Sequence, residues 1–125
     1  MLNFLLVFIG GGLGAVARFG VGRLCFVETD ETAIFPWGTF IVNVVGCLCI
    51  GALMAWFDTH KHEGAQNLLV VGILGGFTTF SSFGFETMRL IRYEHWNLAF
   101  ANLAGNLVLG LLAVGLARWC VMKFI

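Results

Sequence analysis

The chain has 125 residues, 59% of them hydrophobic and 11% charged, with a mean hydropathy of +0.92 and a formal net charge of 0. Soluble domains carry about 25% charged residues and about 45–50% apolar ones, so this composition excludes one and points to a membrane protein. A helix needs about 20 apolar residues to cross about 30 Å of hydrocarbon. Residues 2–17 hold no Asp, Glu, Lys or Arg, and this first run reaches span length only by passing Arg18, which places span one at 3–23. Ala15-Val16-Ala17 has the form of a signal-peptide cleavage site, but Met1-Leu2-Asn3 supplies no basic side chain. With Gly10, Gly11, Gly12 and Gly14 suiting a packing helix, the segment is expected to stay in place. The acidic connection Glu28-Thr29-Asp30-Glu31 follows. Pro36, the only proline, stands where span two (34–57) begins, a position at which its missing N–H leaves nothing unpaired. Asp58 to Glu63 form a polar loop whose His60 and His62 are read as solvated rather than metal-binding. Spans three (66–91) and four (96–122) complete one transmembrane domain over residues 1–125.

Seventeen glycines are many for so short a chain. Lipid is as apolar as leucine, so membrane helices associate through small residues that let backbones approach. Gly10/Gly14 and Gly72/Gly76 are small-xxx-small pairs, and Gly105, Gly110 and Gly115 recur along span four. Helices packed this closely leave no wide internal pore; any conduction path is narrow or lies between subunits. Cys47 and Cys49 are two apart on a helix and face different ways, so the four cysteines are read as small apolar filler. If the spans alternate, Lys61, Arg118 and Lys123 share one membrane face and Arg18, Arg23, Arg89 and Arg92 the other. Three against four is almost no bias for the rule that sets orientation. Such a chain is expected to insert both ways, and opposed copies can pair.

The segment Gly75-Gly76-Phe77-Thr78-Thr79-Phe80-Ser81-Ser82-Phe83 is the least ordinary stretch. Adjacent glycines free the backbone mid-span, and Ser/Thr hydroxyls can satisfy groups that an interruption exposes. Two readings are open: a close-packed helix with hydroxyls bonded to the preceding turn, or a helix broken where it lines a path. Phe80 and Phe83 share a helix face; their ring edges are positive and attract an anion without a full charge. Asn43 lies four residues after Thr39, and Asn102 and Asn106 repeat that spacing. A buried amide either joins helices or lines a polar path. No nucleophile–base arrangement or metal-ligand spacing appears, so no enzyme is expected.

Taken together, Gly14-Ala15-Val16-Ala17-Arg18, Gly38-Thr39-Phe40-Ile41-Val42-Asn43-Val44-Val45-Gly46 and Gly75 to Phe83 ending at Glu86 resemble the CrcB/Fluc fluoride channels over essentially the whole chain. The resemblance implies an all-α membrane protein of four helices with the third broken mid-span, assembled as an antiparallel, dual-topology homodimer in the cell (inner) membrane. It implies two narrow fluoride pores at the subunit interface and passive export. By the same analogy the carbonyls of Gly75 and Thr78 from both subunits hold a structural sodium ion. Asn43, Phe80 and Phe83 line the pore, with Thr39, Ser81 and Asn106 as further lining residues. Ser82 and Glu86 extend a polar track, and Arg18 draws anions to an entrance. Asn106 departs from the pattern, since family members often carry Ser there. Two other classes compete. A small multidrug-type cation exporter has the same size, but it needs an acidic residue in span one, and residues 2–26 hold none. A non-transporting scaffold would use the glycines and asparagines only to join helices.

Overall fold

The computed structural model describes residues 1–25 and 35–125. The acidic connection at 28–31 and the expected start of span two at residue 34 lie outside them. Among the described residues the chain is helical with no strand, and four segments are long and apolar enough to span a membrane.

Helix α1 (Leu2–Leu24) and α2 (Trp37–Thr59) have 23 residues each. At about 1.5 Å per residue either crosses the hydrocarbon. Pro36 is the residue before α2, so the helix starts one step beyond the proline rather than before it. Span three (Glu63–Arg92) is composite. It opens as α3 (Glu63–Gln66), widens into a π-helical segment (Asn67–Leu74), and tightens again in α4 (Gly75–Phe77). Thr78 (φ −82°, ψ 158°) and Thr79 (φ −152°, ψ 116°) are extended. Helix α5 (Phe80–Arg92) then begins, and the last span is α6 (Trp96–Met122). Three residues turn the chain from α5 to α6. Among them Glu94 has a φ of 62°, and His95 N–H reaches the Leu90 carbonyl at 2.9 Å.

The local sequence accounts for the extended step. Two glycines of low helix propensity precede two β-branched threonines, which lose side-chain freedom in a helix. Thr79 is also a good N-cap: its hydroxyl accepts the Ser82 N–H at 3.2 Å and starts α5.

Packing follows the glycines. α1 lies along the first half of span three and α2 along α6, while α5 packs on α6 instead of following α4 against α1. A Cβ on Gly10 would stand 2.9 Å from the Gly72 Cα, and one on Gly76 would strike the Gly11 carbonyl. At Gly51 it would meet the Val114 backbone. The extended step is therefore also where span three leaves α1 for α6.

Candidate permeation groove

α2 prepares a seat for the two threonines. Asn43 and Gly46 are three apart and face the same way. The Thr78 methyl packs directly over the Gly46 Cα, where any Cβ would collide with it. Asn43 takes both backbone groups of Thr79: Thr79 N–H donates to Asn43 Oδ1 at 2.9 Å, and Asn43 Nδ2 donates to the Thr79 carbonyl at 3.2 Å. One amide side chain thus replaces the helical partners that Thr79 lacks.

From Asn43 a relay runs through α6. Asn43 Nδ2 donates to Asn106 Oδ1 at 3.0 Å. Asn106 Nδ2 donates to the carbonyl of Asn102 at 3.0 Å and to its Oδ1 at 2.9 Å. Asn102, wholly buried at 0% exposure, donates from Nδ2 to Thr87 Oγ1 at 2.9 Å. The Thr87 hydroxyl donates to the Phe83 carbonyl at 2.7 Å. The helix-joining role open to these amides is thus present, and two of the amides also border open space.

That space is a groove of about 640 Å³ between α2, α5 and α6. Asn43, Asn106, Phe80, Phe83, Phe100 and Cys47 are among its walls, and its surface is predominantly apolar. Phe80 is 83% exposed along it, with ring centroids 5.5 Å from Phe83 at an interplanar angle of 54°. The structure therefore places Asn43, Asn106, Phe80 and Phe83 together.

The other sequence candidates lie elsewhere. Thr39 is buried and donates to Glu86 Oε1 at 2.8 Å, off the groove. Glu86 Oε2 and Arg89 Nε, on adjacent turns of α5, have no partner among the described residues. Ser81 is exposed, its hydroxyl 3.3 Å from Thr79 Oγ1. Arg18 is half-buried on α1 and outside the groove wall. Thr78, beyond the last turn of α4, donates from both N–H and Oγ1 to the Leu74 carbonyl at 3.0 Å. Among the described residues no donor reaches the Thr78 carbonyl itself, and Gly75 is exposed. Neutral carbonyl oxygens at an interrupted span are the donor type a hard cation such as sodium accepts.

Two participants escaped the sequence reading. Thr79 matters through its backbone, and only its place in the Gly-Gly-Phe-Thr-Thr stretch hinted at it. Thr87 carried no signal: its spacing to Phe83 is ordinary within a helix, and its partner Asn102 is a contact across the α5–α6 turn.

Comparison with protein-family models matches residues 5–118 to the family described as "CrcB-like protein, Camphor Resistance (CrcB)". A relative from Novosphingobium aromaticivorans is 48% identical over 105 residues, covering 83% of either chain. One from Chloroflexus aurantiacus is 42% identical over 125 residues, covering 95% of this chain and 98% of the relative. One from Opitutus terrae is 44% identical over 122 residues, covering 94% and 91%. All three carry the name "Fluoride-specific ion channel FluC".

Proposed function

The chain belongs to the CrcB family, and from that premise we propose that it is a passive, fluoride-selective channel of the cell membrane, not an enzyme. The observation that carries the reading is the groove, where two amides and two phenylalanine rings meet at the extended step of span three. Fluoride holds its water tightly, so a narrow dry path has to replace that shell with donors. Amide N–H groups and ring edges are such donors, and neither carries a full charge that would trap the ion.

A groove open on one side does not enclose an ion, and Phe80 stands 83% exposed beside it. A second copy in the opposite orientation closes it, with span three broken at Thr78–Thr79 in each. The near-equal count of basic residues on the two faces supports insertion both ways. In that antiparallel homodimer the Gly75 and Thr78 carbonyls of both copies hold a sodium ion, which supplies fixed positive charge between the subunits. Thr39, Ser81 and Glu86, off the groove itself, continue the path beyond it as a polar track, and Arg18 attracts anions toward its mouth.

The test is anion efflux from liposomes containing the purified protein, read with a fluoride electrode and repeated for chloride. Rapid fluoride loss without chloride loss is expected. No loss of either ion from intact dimers would overturn the channel reading in favour of a scaffold.

A further inference from the structure

Thr87 and Asn102 lie off the groove, yet the relay through both groove amides ends on them. The ends of that relay have a fixed sense: Thr79 N–H can only donate, and the Phe83 carbonyl can only accept. Between them each side chain accepts from one neighbour and donates to the next. Thr87 commits its single proton to Phe83 at 2.7 Å, so toward Asn102 it can only accept. That requirement turns the Asn102 NH₂ toward Thr87 and its oxygen toward Asn106.

Asn106 takes both its acceptors from Asn102, the backbone carbonyl at 3.0 Å and the side-chain oxygen at 2.9 Å. The backbone carbonyl favours the observed sense by itself. What Thr87 decides is whether the Asn102 side chain stays in place to reinforce that sense. Without the hydroxyl, the Asn102 NH₂ is left in a buried space with no acceptor, and only the Asn106 N–H on its Oδ1 still holds the side chain. Asn102 shifts to find another acceptor, and Asn106 moves with it away from Asn43.

We infer that Thr87 and Asn102 are positioning residues for permeation: Thr79 sets the sense of the Asn43 amide, and the two hold Asn106 so that its oxygen meets the Asn43 NH₂ at the groove; this rests on the channel reading above. The two hydrogens of the Asn43 NH₂ are then both committed, to the Thr79 carbonyl at 3.2 Å and to Asn106 Oδ1 at 3.0 Å. An anion gains a donor from Asn43 by displacing one of them. Exchanging one hydrogen bond for another keeps the site shallow, so the ion moves on.

The experiment uses the full chain in two readouts. In the first, asparagine side chains are labelled with ¹⁵N, and Asn3, Asn67 and Asn97 serve as controls away from the relay. Thr87→Val is expected to move the side-chain signals of Asn106 and Asn43, and Thr87→Ser to leave them in place. In the second, Thr87→Val slows fluoride efflux by about tenfold, the scale of one mis-set buried hydrogen bond. Thr87→Ser restores the rate. In an Asn106→Ser background, where the link is cut, Thr87→Val changes the rate no further. An unmoved Asn43 signal, or an equal loss in both backgrounds, overturns the inference. If the signals move but the unsubstituted chain passes no fluoride, the channel reading fails and the permeation role with it, while the relay stands.

Discussion

A single side chain, Asn43, holds both backbone hydrogen-bonding groups of Thr79, accepting its N–H at 2.9 Å and donating to its carbonyl at 3.2 Å. The two residues are 36 apart in sequence and on different spans, so the extended step is completed by α2. Lipid offers no water to satisfy those groups. The same amide borders the groove, which ties the integrity of the span to the proposed path.

Asn43→Leu, branched at the same carbon but without polar atoms, should therefore damage both. It strands the Thr79 N–H and carbonyl, and the expected loss of stability is about 3 kcal/mol, from two buried groups left unpaired. Thermal unfolding in detergent measures this, and fluoride efflux should fall with it. A variant of unchanged stability would mean that Thr79 finds other partners.

Phe80→Ile and Phe83→Ile should behave differently. The rings line the groove, and Phe80 is exposed, so neither supports the fold as a core residue does. Flux should be abolished while assembly, followed by size-exclusion chromatography, stays intact. Retained flux in both variants would sink the pore assignment.

The glycines divide into two sets by what surrounds them. Gly14→Ala, Gly51→Ala and Gly76→Ala each drive a methyl into a neighbouring backbone that cannot rotate away. Overpacking of this kind costs about 1–3 kcal/mol. Gly12→Ala and Gly115→Ala meet open space and should be neutral or gain up to about 1 kcal/mol of helix propensity. Unfolding midpoints of the five variants check the ordering.

The proposed dual insertion can be tilted by charge. Replacing Lys61 and Lys123 with Ala leaves Arg118 alone against Arg18, Arg23, Arg89 and Arg92. The copies should then adopt one orientation, and flux should fall because opposed partners become scarce. Impermeant thiol labelling of a cysteine placed in the 58–63 loop reads the orientation. Equal labelling from both sides would count against charge as the determinant. The variants spare Arg118, whose 2.7 Å pair with Asp58 joins the ends of α6 and α2.

Much of this architecture is written locally. Charge-free runs locate the four apolar helices, although the first and third helices run past them to Leu24 and Arg92, and the third begins at Glu63, where the polar loop ends. The Gly-Gly-Phe-Thr-Thr stretch marks the unusual part of span three while leaving a close-packed helix and a broken one both open, and the spacing of Asn102 and Asn106 places both on one face. Other features depend on distant chain. Nothing in the composition of Asn67–Leu74 announces a π-helix; the Gly10/Gly14 and Gly72/Gly76 pairs record the close approach to α1 there but not the change of helical pitch. The Thr87–Asn102 bond was equally hidden, since it exists only once α5 and α6 lie side by side.

The Asn43–Thr79 clasp also bears on how the chain is made. Synthesis proceeds from the N-terminus, so α2 leaves the ribosome before Thr79 does. The bare amide and carbonyl of the third span therefore enter the bilayer with their partner waiting, and the step need never face lipid alone. Asn102 and Asn106 arrive last. Until they do, the Asn43 side chain serves Thr79 alone, and the final span adds a second acceptor to a clasp already closed.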